Sequence, residues 1–175
     1  MVCVVKTVRK WYEAEIRCLT YLQSPLLLFL RLLFGWGFFK AGLGKLQNIE
    51  NTSAYFAGLN IPLPTLNAWL AGTTEYFGGL LLLLGAASRV ITIPLVCTML
   101  VAYLTQHIEE LRSLWTPGKG GYNAAPFFKA APFPYLLTSL LVLLFGPGVF
   151  SIDGVVRRLL AGKETAAGDR RLTPA

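Results

Sequence analysis

Residues 25–45 read PLLLFLRLLFGWGFFKAGLGK, an apolar run interrupted only by Arg31 and Lys40 before Lys45 closes it. A membrane span needs about 20 mostly apolar residues, so this run predicts a transmembrane helix. Pro25 stands in its first turn, where a missing N–H costs a helix little, and Lys45 is read as an anchor snorkelling to the far surface. A cleavable leader is the competing reading, because Gly42 and Gly44 resemble a small-residue cleavage site. The 24 residues before Pro25 are too long and too mixed in character for the basic start of such a leader.

Three further apolar runs follow. Residues 46–66 are polar, with Asn48, Asn51 and Asn60, and the Ile61-Pro62-Leu63-Pro64 segment bars a continuous helix. This stretch is expected to be a loop with a short interfacial helix around Tyr55 and Phe56. A second span is predicted over residues 67–87, holding one acid, Glu75, among Gly72, Gly78, Gly79 and Gly85, small residues that let helices approach closely in lipid. A turn at Ala87-Ser88-Arg89 makes a third span, residues 90–106, its antiparallel neighbour. Residues 108–134 are polar and then rich in proline and aromatics, which suits a surface loop or cap. A fourth span is expected over residues 135–150, where Gly146-Pro147-Gly148 would stop the helix. Ser151-Ile152-Asp153 then restarts a basic amphipathic segment.

The expected fold is therefore all-α, an integral membrane four-helix bundle with antiparallel spans. Composition agrees, since 54% of the 175 residues are hydrophobic and 14% charged, against about a quarter charged in soluble domains. The organisation expected is a cytoplasmic N-terminal segment (1–24), one membrane domain (25–158) and a flexible basic tail (159–175). Ten basic residues flank one side of the spans, in the two tails and at Arg89, against four on the other, so both termini are placed in the cytoplasm of a cell whose inner membrane holds the chain. The net charge of +7 is thus read as an orientation signal and not as a nucleic-acid surface. Cys3, Cys18 and Cys97 form no CxxC pair and are expected to be free thiols.

Arg31, Lys40 and Glu75 are the candidate intramembrane polar site, because an ionisable side chain in hydrocarbon costs at least about 2.5 kcal/mol and must face a partner or water. By helical rise Arg31 lies roughly 9 Å from one end of its span, Lys40 within roughly 8 Å of the other, and Glu75 roughly 12 Å deep between them. Either base could pair with it. Two readings stay open: a structural ion pair that fixes helix register, or a polar pocket that binds a substrate head group or relays protons. Weaker candidates are His107 at a membrane edge beside Glu109 and Glu110, Tyr76 next to Glu75, and Trp36, which with Phe38 and Phe39 could line a quinone pocket or simply face lipid. A lone histidine rules out bis-histidine haem ligation from one chain and a multi-histidine metal site. No metal site, intrinsic cofactor or assignable catalytic residue is read from the sequence, and no phosphate-binding loop or hydrolase triad appears.

Several residues in combination resemble the DoxX family of small bacterial membrane proteins. They are Arg31-Leu32-Leu33-Phe34-Gly35 and Ala41-Gly42-Leu43-Gly44-Lys45-Leu46, then Gly58-Leu59 and Pro62. Gly72-Thr73-Thr74-Glu75-Tyr76-Phe77-Gly78-Gly79 and Arg89 follow, and Gly146 to Asp153 resembles the family's Gly-Pro-Gly-x-x-Ser-x-Asp ending. Residues 25–158 carry the resemblance. Departures are a longer loop over 115–134 and Ala41 where some members have histidine. The resemblance implies four spans and, through relatives of a quinone-reducing thiosulfate oxidoreductase, a subunit of a quinone-linked redox or sulfur/thiol-stress system. Its expected partners are the lipid bilayer, quinone, soluble redox or stress proteins and further copies of itself. The alternative is a non-enzymatic scaffold or assembly partner, and a small transporter ranks below both.

Overall fold

The computed structural model describes residues 2–115 and 123–169, with side-chain placement for Trp11, 21–115 and 123–160. Eight helices follow in order: α1 (Val2–Gln47), α2 (Ile49–Gly58), α3 (Pro64–Leu84), α4 (Ser88–Thr105), α5 (Ile108–Arg112), α6 (Ala125–Lys129), α7 (Pro132–Phe145) and α8 (Ile152–Asp169). No strand occurs among the described residues. Tyr21–Gln47 and Ser88–Thr105 are long and apolar enough to cross a membrane, and α7 is equally apolar but shorter. α3 has 21 residues and carries the polar run that ends in Glu75.

The last span, expected over residues 135–150, is the helix Pro132–Phe145, ending before Gly146, and the boundaries depart from the sequence reading in four further places. Pro25 does not start a helix; α1 runs through it from Val2. One proline removes a single donor, and the Tyr-Leu-Gln and Leu-rich flanks propagate the helix on both sides. The interfacial helix expected around Tyr55 is the ten-residue α2, filling nearly half of the expected loop. The turn between the second and third apolar runs lies at Gly85-Ala86-Ala87, so that Ser88 and Arg89 belong to α4. Gly85 and Ala87 take left-handed conformations there, with φ of 68° and 47°. The tail expected to be flexible from residue 159 continues as helix to Asp169, in a segment with no proline and many good helix formers; residues 170–175 lie outside the described residues.

α1 packs along α3, α3 also meets α4, and α7 lies against α4 and α1, with α2 folded back on α3. Leu27, Phe38, Leu82, Leu95, Met99, Leu136 and Val142 form the shared core. Outside it, large apolar side chains stay exposed on every long helix: Phe29 and Leu33 on α1, Phe77 and Leu84 on α3, Ile93 and Leu104 on α4, Leu144 on α7. A coat of this kind suits hydrocarbon and would aggregate in water. Of the stretch expected as a surface loop or cap, residues 116–122 lie outside the described residues; beyond α4, Phe127, Phe128 and Phe133 contact one another edge to face and the Tyr103 hydroxyl donates to the Phe127 carbonyl at 2.9 Å.

Glycine sets the closeness of α1 and α3. A Cβ at Gly42 would run into the Tyr76 backbone, and one at Gly79 into the Phe39 backbone, so the two main chains touch along an antiparallel seam. Gly44, one residue off that face, has open space around it. Gly42→Ala and Gly79→Ala are each expected to destabilise the protein by roughly 1–3 kcal/mol through overpacking, whereas Gly44→Ala should be neutral or mildly stabilising. Thermal unfolding in detergent checks the contrast, and equal effects at Gly42 and Gly44 would refute it.

Candidate functional site

The two buried charged side chains among the described residues, Arg31 and Glu75, lie in separate places. Arg31 is buried, at 1% exposure, and among the described residues no carboxylate forms a salt bridge with it. Its guanidinium donates to main-chain oxygens instead. Nε binds the Leu82 carbonyl at 2.9 Å, Nη2 the Leu83 carbonyl at 3.2 Å, and Nη1 the carbonyls of Pro147 and, at 3.2 Å, Phe150. Leu82 and Leu83 lie in the last turn of α3, where carbonyls lack the usual partner four residues on, Leu82 keeping a bond of 3.2 Å from the Gly85 N–H, and where the helix dipole is negative. Pro147 and Phe150 lie in the non-helical link between α7 and α8. One cation thus joins three parts of the chain.

The same corner is closed by Asp153, whose two carboxylate oxygens accept from the N–H groups of Ala87 and Ser88 at 2.8 and 2.9 Å. These are unpaired donors at the start of α4, so an acid from 65 residues further on serves as that helix's N-cap. The Asp153 N–H in turn donates to the Gly85 carbonyl at 3.0 Å. Burial alone would push the Asp153 carboxyl up. The amides of Ser88 and Ala87 outweigh it and, with Arg157 nearby, hold the group below the usual carboxylate range. Gly85 is required twice over, by its positive φ and because a Cβ there would collide with the Arg31 guanidinium.

Glu75 lies elsewhere. Its carboxylate, 5% exposed, pairs with the Lys45 ammonium at 28%. This corrects the expectation that Arg31 or Lys40 would be its partner: Arg31 is consumed by carbonyls, and Lys40 is exposed, its ammonium 5.8 Å from the Trp36 ring centroid. The seam that brings Gly42 onto Tyr76 is what puts Lys45, three residues on, beside Glu75. Lys45 was legible in the sequence only as a helix-end anchor.

The Lys45–Glu75 pair stands in the wall of a cavity of about 660 Å³ bounded by α1, α2, α3, α4 and α7, within the roughly 300–1,000 Å³ of small-molecule sites. Most of the lining is apolar, including Phe38, Phe56, Leu59, Leu70, Ile93 and Met99, and polar groups enter at Asn67, Thr74, Thr98, Gln106 and Tyr135. Cys97, a free thiol, also lines it; the side chains of Cys3 and Cys18 lie outside those described. Of the aromatic cluster around residue 36, Phe38 alone faces the cavity. Trp36 is exposed and stacks on Phe39. Tyr76 is half-buried with its ring on Phe39, away from the cavity lining. His107 also lies outside the lining, its Nδ1 3.2 Å from Glu110 Oε1. No group of three His, Cys, Asp or Glu side chains among the described residues could hold a metal ion.

The DoxX family model matches residues 26–108, which contain Arg31, Lys45 and Glu75 and end just beyond α4. A Bacillus subtilis protein named "Putative oxidoreductase CatD" is 31% identical over 131 residues, covering 74% of this chain and 85% of that one. The chain belongs to the DoxX family. An uncharacterised membrane protein of Mycobacterium tuberculosis is 30% identical over 147 residues, covering 83% of this DoxX chain and 88% of its own length. An uncharacterised protein of Haemophilus influenzae is 26% identical over 145 residues, 78% and 87% of the two lengths. No solved structure matches. The family model ends before residue 109, so the corner that Arg31 and Asp153 close draws Asp153 and the Pro147 and Phe150 carbonyls from outside the matched residues.

Two outcomes follow for that corner. Arg31→Gln leaves buried carbonyls without a donor and should cost at least about 3 kcal/mol, given about 1.5–3 kcal/mol for a hydrogen bond to a charged group; Arg31→Lys, which cannot span the same carbonyls, should recover only part. For Asp153 the sign runs with pH: a carboxyl lowered in the folded state contributes fully above its unfolded pKa, and the contribution disappears as pH falls through the lowered value. Asp153→Asn should therefore be less stable at neutral pH and lose less stability than wild type on acidification below the carboxylate range. Thermal unfolding followed by circular dichroism at several pH values reads both effects.

Proposed function

We propose that this DoxX protein is a membrane-embedded quinone-binding subunit of a redox or sulfur/thiol-stress system, with the site in the cavity walled by Lys45 and Glu75. The observation that carries this reading is an ion pair set in the wall of a mostly apolar, partly open cavity of about 660 Å³ inside a membrane protein. A purely structural pair gains from tight packing on all sides, because attraction between buried charges offsets their desolvation only when geometry and hydrogen bonding are complete. A cavity beside the pair leaves room for a ligand with an apolar body and a hydrogen-bonding head. A quinone has that character: a flat ring and apolar tail against Phe38, Phe56 and Met99, and a carbonyl that accepts from the Lys45 ammonium. On reduction it takes two electrons and two protons; Glu75 and Lys45 would pass protons to its oxygens, and a soluble partner would supply the electrons. The name of the Bacillus relative is compatible with such a role.

The membrane arrangement that goes with it has four antiparallel spans, α1 from about residue 21, α3, α4 and α7, forming a bundle in the inner membrane with both termini in the cytoplasm. The basic residues of the tails and Arg89 support that orientation. α7, at 14 residues, covers about 21 Å. Arg31 would then hold the non-helical link after α7 at membrane depth, where unsatisfied main-chain groups are not tolerated.

The test is binding of decylubiquinone to protein in lipid nanodiscs, together with mass spectrometry of molecules retained on purification. Wild type should retain quinone, and Glu75→Gln and Lys45→Gln should each weaken decylubiquinone binding about tenfold, equivalent to about 1.4 kcal/mol, while Lys40→Gln should not. Wild-type protein that copurifies with no quinone and ignores the analogue would overturn the reading and favour a scaffold held together by a structural ion pair.

A further inference from the structure

A second cavity, of about 960 Å³, lies between α1 and the chain leaving α7, on the far side of the Arg31 corner from the Lys45–Glu75 chamber. Its apolar wall includes Leu27, Phe145 and Phe150, and its polar edge carries Ser24 of α1 with Arg157 and Arg158 of α8. Asp153, the acid one turn before Arg157, has both oxygens engaged by the Ala87 and Ser88 amides. The cavity therefore joins an apolar wall to a rim of net positive charge.

α8 explains where that rim sits. Ile152, Val155, Val156, Leu159 and Leu160 recur at the spacing of one helical face, and all are exposed. Arg157 and Arg158 lie off that stripe. A helix of this kind, basic on its polar side, lies in the plane of a membrane surface with its apolar face in the headgroup–acyl boundary. It begins seven residues after α7 ends, and the Asp153 N–H bond to Gly85 ties it to the α3–α4 turn, hence to the end of the apolar helices.

We propose that this cavity binds one anionic phospholipid, the phosphodiester held by Arg157 and Arg158 and an acyl chain laid along Leu27, Phe145 and Phe150, while α8 rests in the interface. Charge complementarity selects the occupant: a guanidinium matches phosphate oxygens, and the anionic cytoplasmic leaflet offers such headgroups at the surface to which the tails are assigned. The site rests on the membrane placement of the helices and is independent of the quinone reading.

The experiment measures lipid retained by protein extracted from nanodiscs holding equal phosphatidylglycerol and phosphatidylcholine, with thermal unfolding after each lipid is added back in detergent. Wild type should retain phosphatidylglycerol at least tenfold over phosphatidylcholine, and phosphatidylglycerol should raise the Tm where inorganic phosphate does not. Arg157→Gln/Arg158→Gln should abolish the preference and leave decylubiquinone binding unchanged. Leu27→Trp, which fills the cavity with both arginines intact, should also lose retention and serves if the double variant fails to fold. Equal retention of the two lipids by wild type, unchanged preference in either folded variant, or equal stabilisation by inorganic phosphate would overturn the proposal.

Discussion

A guanidinium among apolar helices keeps its charge, so every donor it carries must find an acceptor. Arg31 meets that requirement with carbonyls from the end of α3 and from the link after α7. The geometry solves two problems at once, since the ends and breaks of helices leave carbonyls with spare acceptor capacity. Asp153 does the converse for the first amides of α4. At this corner a cation covers main-chain acceptors and an anion covers main-chain donors, with Arg89 and Arg157 close by. The turn at Gly85, the exit of α7 and the start of α8 all depend on it.

At the opposite end of the same helices the charges are arranged differently. Lys45 and Glu75 neutralise each other directly, and they do so in the wall of a chamber and not in a packed core. Both are placed by the glycine seam between α1 and α3, because main chains in contact leave no play in the relative register of side chains above them. The space beside them is bordered by α2, α4 and α7 as well as by α1 and α3. Structural charges and chamber charges are therefore separable in this protein: one set is saturated by backbone, the other leaves room beside it.

The outer surface carries its own division of labour. Exposed apolar residues on the long helices suit the hydrocarbon layer, while α8 turns an apolar stripe and a basic face in different directions. The link with Gly146-Pro147-Gly148 makes this change of direction, and Gly146 and Gly148 have φ of 82°, a conformation that favours glycine.

The helical character, the apolar runs, the glycine-rich α3, the break at Gly146 and the importance of Arg31 and Glu75 were all determined by the sequence, because they follow from composition, spacing and the cost of charge in lipid. Which charge meets which was decided only by the tertiary structure. Spacing along a helix gives depth but not rotation or the register between helices, so the sequence offered Arg31 or Lys40 as the partner of Glu75 and Lys45 only as an anchor, until the seam at Gly42 and Gly79 placed Lys45 beside Glu75. The partners of Arg31 could not be read from side-chain types at all, since they are main-chain carbonyls, which every residue possesses and only the ends and breaks of helices leave free.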